Sequence, residues 1–260
     1  MSNNGVLHND SHVSPSPSAI HSHSSSHPAI ASTAEMSLFA ELLLNPALGA
    51  KRANVAAGKV LYEPHTAALS LFFVHRGQIR TYRVEAETSG RLLEILGPDD
   101  WCGEAALARQ QHYGEQAVAV VASVVTEVPA DKLLIVMAQQ PKVAAEMVKQ
   151  LAGKLSAARA DAAGLVFDDC NSRLLKTLVR FSHSAAATPH PEGVVLRITH
   201  QQLAQAVGVA RETVSLALTQ LRMQNLLRTG RNQLTFNPEN LKSFELRHRG
   251  RPQNVLVNEG

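Results

Sequence analysis

The sequence predicts an α+β protein with an N-terminal β-roll, one long helix and a C-terminal winged helix-turn-helix. Short runs rich in β-branched and aromatic residues recur between Leu38 and Val128, with turn residues between them, which is typical of a compact β-domain. Apolar residues then recur at helical spacing over 131–167, which predicts a long helix. A helix, a tight turn, a second helix and a short hairpin follow over 199–236.

These changes of pattern divide the chain into five segments. The predicted segments are a Ser-, His- and Pro-rich tail over 1–34, a β-roll over 35–138, a long helix over 139–167, a winged helix-turn-helix over 168–245 and a basic tail over 246–260. We expect the first tail to be disordered because it holds few large apolar residues. Its residues His21, His23 and His27 lack Cys or Asp partners in a defined geometry, so no metal site is predicted.

The second tail is basic and is expected to be flexible. It contains Arg247, His248, Arg249 and Arg251. These side chains could add non-specific contacts to phosphate, or they could have no role.

The composition restricts the class of protein. A pI near 9.0 favours a polyanionic partner, although a net charge of +3 means that the basic residues must be concentrated on one face. Two cysteines without a CxxC pair indicate a reducing compartment. The sequence has no membrane-length apolar run and no signal peptide, so we expect a cytoplasmic protein. No Gly-rich phosphate loop or GxSxG elbow is present, and no metal-spaced His pair lies within the region expected to fold, so we expect no enzymatic activity.

Five β-rich runs define the predicted roll. They are Lys59–Tyr62, Leu69–His75, Gln78–Val84, Arg91–Leu96 and Ala117–Val128. Gly77 falls between two of these runs, where a hairpin needs the positive φ that glycine adopts without strain.

The long helix carries an apolar stripe with two interpretations. Its members are Val143, Met147, Leu151, Leu155, Ala158, Ala162 and Leu165. The stripe could pack on the roll, or it could form a dimer seam against a partner helix. We favour the seam because its small residues would let two helices approach closely.

The C-terminal segment begins its helix-turn-helix at Thr199. Thr199 can cap the first helix, and Gln202 stands where a capping box requires Glu or Gln. Gly208 makes the tight turn, and the second helix runs from about Arg211 to Asn225. The hairpin after it is a wing.

The second helix has the polarity of a DNA-recognition helix, which presents its N-terminal turns to base edges. Arg211 can donate two hydrogen bonds to guanine, Glu212 can accept from cytosine, and Ser215 lies on the same outward face. Contacts to phosphate would fix the position on duplex DNA. The residues predicted to make them are Thr199, His200, Gln201, Thr213, Arg228 and Arg231.

The segment Gly208-Val209-Ala210-Arg211-Glu212-Thr213-Val214-Ser215 resembles the DNA-binding signature of the Crp-Fnr superfamily of bacterial transcription regulators. The resemblance covers about Leu38–Phe244. It implies a β-roll effector domain, a dimerisation helix and a winged helix, hence a homodimer on a pseudo-palindromic site with RNA polymerase as a partner. The family usually has Arg where this chain has Leu216.

The resemblance also identifies an effector pocket. Gly103 and Glu104 match the start of the family's phosphate-binding cassette, but its Arg-Ser pair falls on Glu115 and Gln116. The adenine-contacting positions of the long helix fall near Ala158 and Arg159, which differ from the usual Thr-Ser. Because Glu115 would repel a cyclic phosphate, we expect an effector other than cyclic AMP. The alternative is a constitutive regulator whose roll binds no ligand and serves only dimerisation.

No cofactor is expected from the same comparison. An iron–sulfur cluster requires four thiolates, and the chain has two cysteines. The haem-binding branch pairs a Cys near Cys102 with a His at the position where this chain has Glu104. Cys102, beside Trp101, is therefore interpreted as a buried apolar residue.

Overall fold

The computed structural model describes residues 42–43, 45–84, 90–108 and 110–248. The predicted N-terminal tail, with its histidines, lies outside these residues, as do Arg249 and Arg251. Within the described part of the chain, no helix is long and apolar enough to cross a membrane.

The predicted α+β class is confirmed, and the roll comes first. Its strands are β1 Lys51–Val55, β2 Val60–Tyr62, β3 Ser70–Arg76, β4 Ile79–Arg83, β5 Arg91–Leu96, β6 Trp101–Cys102, β7 Gln116–Ala119 and β8 Ser123–Pro129. They form two antiparallel sheets with the strand orders β1-β8-β3-β6 and β2-β7-β4-β5. A short 3-10 turn over Glu104–Ala106 follows β6.

The predicted single run Ala117–Val128 is wrong, since it contains two strands, β7 and β8, in different sheets. Ser123 stabilises the turn between them, because its hydroxyl donates to the carbonyl of Val121 at 2.8 Å and accepts from the amide of Gln78 at 3.1 Å. Gly77 has a φ of 96°, and a Cβ there would lie 2.2 Å from Ser123 Oγ. The glycine is therefore required both by conformation and by close approach.

Two helices follow the roll, where the apolar spacing predicts one continuous helical stretch. Helix α1 spans Ala130–Gln139 and α2 spans Pro141–Phe167. Gln140 has a φ of −126° and interrupts the helix. The break occurs before Pro141 because proline disfavours a helical conformation in the preceding residue and starts a helix well.

The apolar stripe of α2 has two different environments. Val143 and Met147 are buried in the roll core together with Leu133, and Leu151 packs at its edge. The seam prediction is therefore corrected for Val143 and Met147, which their own chain covers. Beyond Leu151 the large apolar side chains of the helix, Leu155, Leu165 and Val166, are exposed.

The C-terminal domain is a winged helix-turn-helix. Its elements are α3 Cys170–Phe181, β9 Ala187–His190, β10 Gly193–Leu196, α4 His200–Val207, α5 Arg211–Met223, β11 Leu227–Gly230, β12 Gln233–Phe236 and α6 Pro238–His248. The strands form one antiparallel sheet in the order β11-β12-β10-β9.

Two sequence predictions for this domain are corrected. The stretch 184–194 is not simply a loop, because it contains β9, and Pro189 is tolerated there since β9 is an edge strand. The basic tail does not begin at 246, because α6 continues to His248. Leu241 of this helix is buried in the domain core, Phe244 packs against that core and Glu245 is buried, which explains why the helix persists.

The C-terminal domain packs directly on strand β5 of the roll. Leu92 and Ile95 of that strand belong to the same buried cluster as Leu203 and Val207 of α4. Arg180 of α3 also donates to Asp161 of α2 at 2.5 Å and to the backbone carbonyl of Leu93 at 3.4 Å. Strand β5 therefore contacts both α2 and the helix-turn-helix.

Candidate nucleic-acid interface and ligand cavity

The first helix of the helix-turn-helix begins in the predicted capping box. The amide of Gln202 donates to Thr199 Oγ1 at 3.1 Å, and the amide of Thr199 donates to Gln202 Oε1 at 3.0 Å. Helix α4 ends at Gly208, whose φ is 77°. These local interactions set the angle at which α5 leaves the turn.

Helix α5 has one buried face and one exposed face. Val214, Ala217, Leu218 and Leu221 are buried against the domain core. The exposed residues at its N-terminal end are Arg211, Glu212, Thr213 and Leu216. Both predicted charged base-contacting residues therefore lie on an accessible surface at the N-terminal end of α5, which is the end that a DNA-recognition helix presents to a major groove.

Ser215 is less accessible than the sequence predicted, because it joins the two helices. Its hydroxyl donates to the carbonyl of Arg211 at 3.0 Å and lies 2.9 Å from Nδ1 of His200. Since the one hydroxyl proton is used on Arg211, His200 must donate in the second contact. Periodicity did not indicate this pair, because the residues lie on different helices.

The wing is formed by β11 and β12. Arg228 makes an ion pair with Glu192 at 2.9 Å, in which the side chains are 76% and 47% exposed. Arg231 is exposed in the turn. Because an exposed ion pair contributes little free energy, Arg228 can exchange Glu192 for another anion.

A cavity of about 640 Å³ lies between the roll and α2. Its apolar wall comes from α2, and its charged wall comes mainly from β4, β5 and the residues around the 3-10 turn. The charged lining residues are Arg83, Arg91, Glu94, Glu104, Glu115, Lys154, Asp161 and Arg180. Arg180 belongs to the C-terminal domain, so the cavity also adjoins the domain junction.

Lys154 dominates the acidic end of this cavity, and sequence reasoning missed it. Its ammonium group donates to Glu94 Oε2, to Glu104 Oε1 and to the carbonyl of Trp101, each at 3.0 Å. Burial disfavours the charge of Lys154, but the attraction of the two carboxylates is stronger and raises its pKa. A lysine within the apolar face of the predicted helix was the available signal.

Glu115 lies beside this cluster with a weaker set of partners. The hydroxyl of Tyr62 donates to its carboxylate at 3.0 Å. Burial, followed by repulsion from Glu104, raises the pKa of Glu115 to about 7. The group therefore titrates near neutrality.

Of the other residues predicted to line the effector pocket, some lie in the cavity or beside it and two lie elsewhere. Ala158 lies in the cavity with Glu104 and Glu115, and Gly103 lines an adjoining cavity of about 520 Å³. Gly103 has a φ of 92°, and a Cβ there would lie 2.7 Å from the carbonyl of Ser70. Gln116 instead pairs with Tyr82 in the sheet, and Arg159 is exposed on α2 outside the cavity lining.

In the described part of the chain, no group of three or more His, Cys, Asp or Glu side chains is placed to hold a metal ion. Cys102 is fully buried, and its side chain lies near the carbonyl of Phe72 at 4.0 Å.

Two family models match this combination of domains. A cyclic nucleotide-binding domain matches residues 52–140, and a Crp-like helix-turn-helix domain matches residues 172–244. Together they span more than half of the sequence. The chain belongs to the Crp-Fnr family of transcription regulators.

Curated transcription regulators are similar in sequence to this Crp-Fnr regulator. The chain is 28% identical over 161 residues to the cAMP-activated global transcriptional regulator CRP of Salmonella typhimurium, covering 62% of this chain and 77% of that protein. It is 28% identical over 192 residues to the probable transcriptional regulator flp of Lacticaseibacillus casei, covering 74% and 85%.

Solved structures share the fold of this Crp-Fnr regulator. The c-di-GMP responsive global regulator CLP of Xanthomonas campestris superposes with a TM-score of 0.64 at 22% identity, covering 74% of this chain and 95% of that one. A CRP/FNR-family regulator from Thermus thermophilus gives 0.63 at 24% identity, covering 77% and 100%. At these identities the likeness concerns the fold.

Glu115→Gln is expected to flatten the pH dependence of stability. The pKa of Glu115 in the folded protein is raised to about 7 from its ordinary 4.5, so the folded chain loses stability as pH rises from 4.5 through 7. Glutamine cannot ionise and still accepts from Tyr62. Because one pKa unit equals about 1.4 kcal/mol, and partial exposure reduces the effect, we expect a relative gain on the order of 2 kcal/mol between pH 5 and pH 8.

The measurement is urea unfolding followed by fluorescence of Trp101, the one tryptophan in the chain. Glu94 and Asp100, whose pKa values are also raised by burial, are present in both proteins, so the difference between the two curves reports the removal of the Glu115 carboxyl. Parallel stability curves for the two proteins would contradict the assignment.

Proposed function

We propose that this regulator binds a pseudo-palindromic duplex DNA site as a homodimer, and that a ligand other than cyclic AMP occupies the cavity between its roll and α2. The observation that carries the proposal is the N-terminal end of α5, where Arg211 and Glu212 are exposed on a helix anchored by its opposite face. In the cytoplasm of a bacterial cell, RNA polymerase is the expected protein partner of the DNA-bound dimer.

In the proposed complex, Arg211 donates two hydrogen bonds to a guanine and Glu212 accepts from a cytosine amino group. Ser215 orients the helix start through His200, in addition to any contact of its own. The expected phosphate contacts come from Thr199, His200, Gln201, Thr213, Arg228 and Arg231, and they fix the position of the domain without specifying sequence.

The exposed face of α2 supports the homodimer. Val148, Leu155 and Val166 are 62%, 52% and 74% exposed, respectively. With Ala162 they are separated by seven, seven and four residues, or about two, two and one helical turns, so they share one face. A second copy of α2 would cover this face, and the open side of the cavity would then lie beside the seam at Leu155, Ala158, Ala162 and Leu165.

The charges in the cavity argue against cyclic AMP. The position expected to neutralise a cyclic phosphate is occupied by Glu115, and Glu94 and Glu104 lie nearby with Lys154 between them. Arg83 and Arg91 also line the cavity, and their guanidinium groups could bind an anionic group of a different effector.

The constitutive alternative is favoured by one specific observation. Lys154 already neutralises Glu94 and Glu104 and holds α2 on the roll. An internal ammonium group of this kind could keep the helix in place without any ligand.

Arg211→Ala is expected to weaken binding to a specific site by about 1–3 kcal/mol, because it removes a bidentate contact to guanine, and to leave non-specific binding nearly unchanged. Fluorescence anisotropy measures the affinity for a selected site and the affinity for random duplex DNA, each across a salt series.

Arg222→Ala is the matched control, since Arg222 lies exposed near the other end of α5. It should change both affinities by the same factor. An equal loss on both duplexes for Arg211→Ala would contradict base contact at this position.

Leu155→Glu is expected to shift the protein from dimer to monomer, because two charges would meet at the symmetric seam. Sedimentation velocity gives the mass of each form. Ser156→Glu, one residue further on another exposed face of α2, should leave the dimer intact. A monomeric wild-type protein, or equal behaviour of both variants, would contradict the seam.

A thermal-shift experiment tests the effector. Cyclic AMP should leave the melting temperature unchanged, whereas a true effector raises it as its concentration exceeds its dissociation constant. The ligands compared are cyclic nucleotides, 2-oxo acids and haem, with Glu115→Gln as the variant that reports binding in this cavity. A shift with cyclic AMP would contradict the proposal, and no shift with any ligand would favour the constitutive alternative.

A further inference from the structure

Leu216 is an exposed apolar residue on the proposed DNA-contacting surface. It is 63% exposed, whereas its neighbours Ala217 and Leu218 are buried. It follows Glu212 by four residues, so the two side chains lie one turn apart on the same face of α5. Its exposure shows that Leu216 is not part of the domain core.

The chemistry of the major groove limits what Leu216 can contact there. Base edges present hydrogen-bond donors and acceptors, which a leucine cannot satisfy. The apolar feature in the groove is the 5-methyl group of thymine. A leucine placed against a donor or acceptor would leave that group without water or a partner, which is unfavourable.

We infer that Leu216 is a specificity-determining residue that contacts the 5-methyl group of a thymine in each half-site. The inference rests on the proposed DNA binding through α5. Since Glu212 and Leu216 lie one turn apart, the thymine is close to the base pair that Glu212 contacts. Leucine at this position therefore selects thymine rather than leaving that base pair unspecified.

Met223 provides a matched control on the same helix. It is 76% exposed and follows Leu216 by seven residues, so it lies on the same face about two turns further from the N-terminal end. If exposed apolar side chains on α5 acted only through non-specific hydrophobic contact with DNA, substitution of Leu216 and substitution of Met223 would have the same effect on the selected site.

The test begins with selection of binding sites from a random duplex pool by the full-length protein and by its Leu216→Ala, Leu216→Arg and Met223→Ala variants. We expect wild type and Met223→Ala to select the same site. Leu216→Ala should lose the preference at one thymine per half-site, and Leu216→Arg should replace that preference with guanine.

The second step replaces each thymine of the selected site with uracil, which removes only the 5-methyl group. Removing one methyl contact should weaken wild-type binding on the order of fourfold at one position per half-site. The same replacement should have no effect on Leu216→Ala.

The outcomes distinguish failure of the proposed DNA binding from failure of the inference about Leu216. Failure of the wild-type protein to select any site contradicts the proposed function. Selection of a site that is insensitive to uracil at every thymine, or equal sensitivity in wild type and Leu216→Ala, overturns the inference about Leu216 while the proposed function stands.

Discussion

The ammonium group of Lys154 determines how the long helix lies on the roll. It donates to Glu94 on β5, to Glu104 after β6 and to the carbonyl of Trp101, and it lies 5.1 Å from the centre of the Trp101 ring. Two carboxylates that face the same cavity would repel each other without this cation. The contact therefore joins β5, β6 and the 3-10 turn after it to the long helix, at the cavity that Lys154 lines.

Strand β5 contacts both Lys154 and the C-terminal domain. Its residue Glu94 binds Lys154 on the cavity side, whereas Leu92 and Ile95 pack beneath the helix-turn-helix. Arg180 crosses the same junction, from α3 to Asp161 of α2 and to the backbone of β5. A change in the cavity thus lies one strand away from the domain that holds α5, which gives a short physical route from the cavity to that helix.

The helix-turn-helix shows how far local sequence signals can be trusted. The capping box at Thr199 and the turn at Gly208 depend on residues within one or two turns of each other, and both occur as predicted. The contact between His200 and Ser215 depends on the crossing of two helices. It could not be predicted from the spacing within either helix.

The sequence by itself determined the order of the β-roll, the long helix and the winged helix-turn-helix, because capping, periodicity and turn chemistry act between near neighbours. The tertiary structure decided which part of the α2 stripe is buried, since Val143 and Met147 meet the roll whereas Leu155 lies beyond its edge. It also decided that Lys154 neutralises Glu94 and Glu104, which are 60 and 50 residues away in the chain. Such long-range pairs follow from how the sheets and helix pack, which local spacing does not specify.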